Sequence, residues 1–481
     1  MSEFETVIGL EVHAELLTAS KIFCGCSAAF GAPPDTHVCP VCLGMPGVLP
    51  VLNRRVVEFA IRAGLATHCT IARASRFARK NYFYPDLVKG YQISMYELPL
   101  CTGGHLDVLV DGTTRRIGLT RIHMEEDTGK NIHDAHGDAS LVDFNRSGVP
   151  LLEIVSEPDM RSIAEAGAYL RTLRSILQYL EICDGNMEEG SFRCDANVSL
   201  RLLGATELGT KVEIKNMNSF RAVEKAIAFE VERQRDALTS GERLVQETRL
   251  WDADREETRS MRKKEYANDY RYFPEPDLLP LTVDDAWVGE VQASLPELPG
   301  ARRERFVREH GLSPYDADVL TQRKDVADYF EAGVAGGAAA KEMANWVSTE
   351  VLRIVREDKL DRALVIRDWP LTPHQVATLA KLVQAGTINR NTAKGLIPRL
   401  RGTGADPEEL VRAGGLAQVS DRGALDAAVA DVIAKHPTQV ADFRAGKERI
   451  LGFLVGQVMK ASGGKANPQV VQELLRAALA R

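Results

Sequence analysis

No run in the 481 residues approaches the ~18 consecutive apolar residues that a membrane-spanning helix requires. The acidic start, Met1-Ser2-Glu3-Phe4-Glu5, has no apolar signal core. The chain is therefore expected to be cytoplasmic, with no membrane partner. Positive charge is not in excess: 60 Lys/Arg against 67 Asp/Glu leave a net charge of −7. The basic stripe that marks many nucleic-acid binders is missing. DNA is not expected as a partner, and an RNA partner has to be argued from local features. No Walker A sequence, Gly-x-Gly-x-x-Gly loop or His-Glu-x-x-His occurs. A P-loop, a Rossmann nucleotide site and a zincin centre are thus unsupported. Cysteine is scarce, eight in all, and unevenly placed. Four fall between Cys24 and Cys42, while Cys69, Cys101, Cys183 and Cys194 are scattered. In a cytosolic chain the cluster points to a metal and the scattered residues to buried thiols, rather than to disulfides.

What is present is ordinary for a globular protein: 44% hydrophobic and 26% charged residues. The length suggests two to four domains at ~100–200 residues each. Cys24-Gly25-Cys26, twelve residues, then Cys39-Pro40-Val41-Cys42 is a zinc-type spacing in a Gly- and Pro-rich loop. Four thiolates fill a tetrahedron and leave no open position, so such a site would be structural. The alternative is four reduced thiols in a loop.

Thr6 to Leu16 alternates with period two. Ile8, Leu10, Val12, Ala14 and Leu16 fall on one face, and Glu11, His13 and Glu15 on the other. Asp195–Arg201 and Lys211–Lys215 repeat the pattern, with Asp195, Asn197, Ser199 and Arg201, then Lys211, Glu213 and Lys215, on the polar side. Arg121–Lys130 holds Glu125, Glu126 and Asp127 in a row, and Glu153 interrupts the apolar run Pro150–Ser156. A carboxylate in an apolar run is costly unless a cation or hydrogen bonds compensate it. Clustered carboxylates suit Mg²⁺, a hard cation that prefers oxygen ligands; a solvated acidic turn is the plainer alternative. Arg79–Asp86 and Asp269–Asp277 mix aromatics with cations, as would suit base stacking or, equally, an aromatic core with snorkelling cations.

Helical spacing runs from Arg161 through Leu180 and from about Ser219 to Leu238. The expected fold is α+β: an antiparallel sheet packed on helices with one charged face open. Acids there can hold Mg²⁺ while Lys and Arg meet phosphate oxygens, which fits nucleotide-dependent phosphoryl transfer. Prolines at 294–300 mark a linker, and Gly402–Pro407 marks a second break. Three segments follow: a catalytic domain over 1–292 that includes the cysteine loop at 24–42, a helical domain over 293–405, and a helical tail over 406–481. The tail, with helices expected at about Arg444–Ala461 and Pro468–Leu479 split by Gly463-Gly464-Lys465, has ten Lys/Arg against nine Asp/Glu. That balance weakly favours contact with a polyanion.

Glu5–His13, Arg79–Asp86, His123–Lys130, Leu152–Asp159, Met187–Asn197, Asp269–Asp277 and Gly452–Lys460 together resemble the B subunits of bacterial aspartyl/glutamyl-tRNA amidotransferases, over essentially the whole chain. The resemblance implies a cradle-shaped, glutamine synthetase-like catalytic domain, a helical domain and a small helical tail that touches tRNA. It implies a carbon–nitrogen ligase with glutamine as amido donor. ATP, with Mg²⁺, phosphorylates the side-chain carboxylate of Asp-tRNA(Asn) or Glu-tRNA(Gln). Ammonia from a glutaminase A subunit then displaces the phosphate, and a small C subunit wraps the A–B pair. No amidase-type Ser-rich stretch or N-terminal nucleophilic Cys is visible, so the glutaminase must lie elsewhere. Carried over by residue, His13, Glu125 and Glu153 would bind Mg²⁺, with Glu11, Glu126 and Asp195 as a second site or second layer of acids. Arg193 and Lys211 would meet phosphates, so that Glu125, Glu153, Arg193 and Lys211 carry catalysis. Tyr82 and Tyr84 would line the pocket for the tRNA acceptor end. Zn²⁺ at Cys24, Cys26, Cys39 and Cys42 rests on spacing, since not every family member has these cysteines.

Overall fold

The computed structural model describes residues 4–133, 140–263, 270–360, 365–418, 422–462, 466 and 468–479. Met1-Ser2-Glu3, Asp269 and Gly463-Gly464-Lys465, named above, lie outside them. The chain divides into two compact units, Met1–Pro299 and Gly300–Arg481.

The first unit is mixed α and β. Its strands are β1 (Phe4–Glu15), β2 (Thr70–Ile71), β3 (Ala74–Asn81), β4 (Tyr91–Leu98), β5 (Cys101–Val110), β6 (Thr113–Glu126), β7 (Lys130–His133), β8 (Ser140–Asp143), β9 (Pro150–Ser156), β10 (Phe192–Leu202), β11 (Val212–Lys215), β12 (Glu247–Asp252), β13 (Glu257–Lys263), β14 (Phe273–Pro274) and β15 (Leu281–Thr282). Thirteen of them form one sheet with the main order β13-β12-β11-β10-β1-β9-β6-β4-β3-β14; β7 and β8 make a separate hairpin. The helices are α1 (Arg54–Ala66), α2 (Ile163–Tyr179), α3 (Phe220–Thr239) and α4 (Asp285–Ala293).

Alternation builds this sheet as expected. Ile8, Leu10, Val12 and Ala14 of β1 are buried in one core with Ala196, Val198 and Leu200 of β10 and Leu173 and Leu177 of α2. At ~25 cal/mol per Å² of apolar area, that shared burial is the main force holding helices to sheet. The Ser162 side chain caps α2 by accepting from the Glu165 amide, and Ser219 caps α3 through the Ala222 amide. One pairing departs from the antiparallel expectation: β11 and β12 run parallel. The twenty-residue α3 intervenes between them and carries the chain back to the same end of the sheet, which a parallel pair requires.

In the second unit no strand occurs among the described residues. Phe306, Phe330, Trp346 and Leu379 belong to one apolar core, and Leu425, Leu454, Val471 and Leu475 to another nearer the C-terminus. The helix expected over about Arg444–Ala461 is interrupted. One helix ends at Arg444 and the next spans Ile450–Ala461. Gly446, at φ +90°, takes a conformation that other residues adopt only under strain, and it turns the chain between them.

Candidate active site

β1, β9 and β6 are neighbours, and register sets their side chains in a row. His13 lies opposite Glu153 on β9, and Glu153 lies opposite His123 on β6. On the other side of β1, Glu11 pairs with Asp195 and His13 with Arg193 on β10. Cross-strand partners project to the same face, so one pleat gathers acids and imidazoles. His13 Nε2 lies 3.8 Å from Glu11 Oε1, 3.8 Å from Glu125 Oε1 and 3.6 Å from Glu153 Oε2. Two overlapping sets, Glu11/His13/Asp195 and His13/Glu125/Glu153, each hold their ligand atoms within 4.8 Å of one another. Carboxylate oxygens with one imidazole are donors a divalent cation accepts, and two of the acids are buried.

The charges respond to each other. Burial favours a neutral His13 ring, but Glu153, Glu125 and Asp195 prevail and lift its pKa to about 9. Burial also opposes charge on Glu153, yet His123, His13 and Lys80 hold it well below the usual carboxylate range. Glu125 is likewise lowered against burial, by His123 and Lys80, despite Glu153. Glu11 is raised, first by burial and then by Glu153. A cluster in which neighbouring acids shift in opposite directions is typical of functional sites.

His123 was not singled out in the sequence. It is wholly buried, and its ring nitrogens make no hydrogen bond among the described residues. Nε2 stands 3.7 Å from Glu125 Oε2 and 3.6 Å from Glu153 Oε2. The available signal was its position two residues before Glu125 on one strand, which places both on one face.

Asp195, expected beside the metal, joins the group and is ion-paired with Lys215. Glu126 is not brought to it. It points to the opposite side of β6 from Glu125, is ion-paired with Lys89 and accepts from the Ile93 amide at 2.8 Å. Arg193 donates to Asp127 Oδ2 at 2.9 Å, and Arg146 Nε lies 3.6 Å from the same oxygen. Lys211 is exposed and lines a cleft of about 880 Å³ together with Glu11, Glu153, Lys80, Arg121 and Asn197. Tyr82 packs edge-on against Tyr270; burial, then Glu125, Asp86 and Asp127, push its hydroxyl pKa well up. Tyr84 is exposed. The aromatic wall of the cleft is instead Tyr96, Tyr270 and Tyr272. Tyr96 and Tyr272 are stacked at 5.2 Å, with the Arg121 guanidinium 4.4 Å from the Tyr96 ring.

Cys24, Cys26, Cys39 and Cys42 also come together, with their sulfurs all within 4.8 Å. Cys39 and Cys42 Sγ are 3.9 Å apart, and the Cys39 amide donates to Cys42 Sγ at 3.1 Å. Two Zn–S bonds of ~2.3 Å at a tetrahedral angle place sulfurs at nearly that separation, so this donor set suits the ion. The Cys42 thiol is pushed down to about 4, first by Cys24 and against its burial, with Lys21 adding to the effect.

Residues 6–289 match the GatB/GatE catalytic domain, and residues 328–479 match the GatB domain. The chain is 58% identical over 476 residues to the B subunit of the aspartyl/glutamyl-tRNA(Asn/Gln) amidotransferase of Solidesulfovibrio magneticus, covering 99% of each chain. Against its counterpart in Thermodesulfovibrio yellowstonii it is 56% identical over 473 residues, 98% of each. Against that of Carboxydothermus hydrogenoformans it is 53% identical over 484 residues, the full length of both.

Proposed function

Since the chain belongs to the family of aspartyl/glutamyl-tRNA(Asn/Gln) amidotransferase B subunits, we propose that it activates the side-chain carboxylate of Asp-tRNA(Asn), Glu-tRNA(Gln) or both for amination. ATP supplies the phosphoryl group, and ammonia released by a glutaminase A subunit displaces phosphate to give the amide. A small C subunit completes the assembly. The sheet face is the floor of a glutamine synthetase-like cradle. The first unit, Met1–Pro299, is the catalytic body, and the helical second unit from Gly300 ends in the tRNA-contacting tail.

What supports this is one group: Glu11, His13, Glu125 and Glu153 side by side on the sheet, next to a cleft edged by Lys80, Arg121 and Lys211. His13, Glu125 and Glu153 would hold Mg²⁺, with Glu11 and Asp195 as the adjoining acids. The ion supplies charge neutralisation for a transferring phosphoryl group. Phosphoryl transfer is mostly positioning and electrostatics. Lys80, Arg121 and Lys211 line the cleft where they can meet the phosphates from its walls. Arg193, held by Asp127, is fixed in direction beside the acids. The Tyr96–Tyr272 stack gives a flat apolar wall, while Tyr82 borders the site near Glu125. His123 lies buried on the same face as the two carboxylates, 3.6–3.7 Å from an oxygen of each. At the cysteine loop a structural Zn²⁺ would be held by the four thiolates.

The test is Glu125→Gln, assembled with its partner subunits and given mischarged tRNA, ATP and glutamine. Transamidation should fall by at least ~10²-fold, the scale of losing one electrostatic group at a reaction centre, while glutamine hydrolysis by the partner continues. Undiminished transamidation would refute the assignment. For zinc, less than about half an equivalent on protein with free thiols would count against the tetrathiolate site.

A further inference from the structure

Lys21 is among the largest side chains in the protein to be fully buried. It stands at the root of the cysteine loop. Its amide donates to the Cys26 carbonyl, and the Asn53 side chain, which caps α1, reaches its carbonyl. The stem passes Gly148, where a Cβ would stand 3.6 Å from Lys21 Cδ. The ammonium ends 3.6 Å from Cys42 Sγ and 3.4 Å from the Phe144 carbonyl. Among the described residues no carboxylate pairs with it.

An ammonium removed from water costs several kcal/mol unless an opposite charge faces it. One carbonyl does not supply that charge. Four thiolates around a dication carry a net charge of −2, and Cys42 is the member Lys21 reaches. The cluster and the lysine therefore answer each other's cost. The same contact spans two parts of the chain. Ser147 Oγ donates to the Cys42 carbonyl at 3.2 Å, and the Ile22 amide donates to the Gly148 carbonyl at 3.0 Å. Two residues later β9 begins, the strand that carries Glu153.

We propose that Lys21 is the buried counter-cation of the Cys24/Cys26/Cys39/Cys42 metal cluster, and that through Phe144 it ties this cluster to the segment leading into β9. This rests on the tetrathiolate reading above. Lys21 is a positioning residue for the metal, not a ligand and not a catalytic group. It gives the cysteine loop an electrostatic latch that an uncharged side chain of equal size cannot reproduce.

The experiment measures zinc affinity by chelator competition on the full chain. Lys21→Met, which keeps the volume and removes the charge, should weaken binding roughly 10–100-fold, the usual effect of losing a partner behind the ligands. Ser147→Ala, which removes an uncharged tie to the same loop, should weaken it much less. Lys21→Met binding zinc as tightly as the parent, or both variants weakening it equally, overturns the proposal. Wild-type protein gives a second reading that does not depend on how the variant folds. Amine labelling followed by mass spectrometry should find Lys21 protected with zinc and reactive after zinc is stripped. Equal labelling in the two states overturns the latch while leaving the metal site intact. Wild-type protein that takes up no zinc overturns both.

Discussion

His13 and Glu153 face each other across β1 and β9, with Nε2 and Oε2 3.6 Å apart. The contact sets a positive imidazolium against a buried carboxylate, and His13 must give up that proton before Nε2 can hold Mg²⁺. It follows that Glu153→Gln removes a charge that faces His13 and lies 3.6 Å from His123. ATP-dependent amidation should drop by ~10²–10³-fold, with the Mg²⁺ requirement shifted to higher concentration. Circular dichroism should be unchanged, because the amide keeps the shape of the side chain. Activity at ordinary Mg²⁺ levels would show that Glu153 is a structural acid.

Lys89 and Glu126 form a largely buried ion pair on the face of β6 opposite the acid cluster. Removing one partner of such a pair strands the other charge. Lys89→Met should cost about 3–5 kcal/mol of stability. Lys89→Met combined with Glu126→Gln should regain part of that loss. Denaturant unfolding of the three proteins decides it; a double variant less stable than Lys89→Met would mean that the pair's charges are not what matters.

Much of this arrangement was legible in the sequence, and the gaps have physical causes. β1 announced itself because only one of its faces is apolar, so Ile8, Leu10, Val12 and Ala14 alternate cleanly with Glu11 and His13. The gathering of the four cysteines was readable from spacing because they are close together in the chain. In β6, by contrast, Ile122, His123, Met124, Glu125 and Glu126 are all buried. A strand covered on both sides loses its alternation, and His123 was hidden in it. The Tyr96–Tyr272 stack depends on β14 pairing with β3 and β3 with β4, a register between distant segments that no local pattern encodes. The parallel β11–β12 pair was likewise unreadable, since the length of α3 does not say on which side the chain returns. Glu126 was grouped with its sequence neighbours, yet adjacent strand residues point opposite ways.

Glu247 sits in a polar knot on β12. Ser260 Oγ donates to its carboxylate, and Arg249 Nη1 donates to it at 2.6 Å. Burial works against its charge, but these two partners outweigh burial and hold its pKa below the usual value. A carboxylate lowered in the folded state adds stability above its unfolded pKa, and that stability is lost as the pH falls through the folded one. Glu247→Gln should therefore be less stable than the parent at pH 7, by about 1–3 kcal/mol for charged hydrogen bonds lost. The difference between the two should shrink as the pH is lowered below ~4.3, the ordinary Glu value. A gap that stays constant down to acid would assign the effect to packing.

Gly209 closes the turn between β10 and β11, and its neighbours Leu208, Thr210 and Lys211 line the cleft. A Cβ there would collide with the carbonyl oxygen of Leu200. That atom is backbone in a central strand and has nowhere to move, so the loop must give way instead. Because Leu202, Leu203 and Leu208 on this stretch are already exposed, the displaced loop loses little buried area. The consequence should fall on binding more than on folding. Gly209→Ala is expected to unfold within ~1 kcal/mol of the parent, as surface changes away from the core do. Its KM for the nucleotide or the charged tRNA should nevertheless rise severalfold, with kcat less affected, because Lys211 is carried away from the cleft while Glu125 and Glu153 stay where they are. A fall in kcat at unchanged KM would place the loop's role in the chemical step rather than at the cleft's rim.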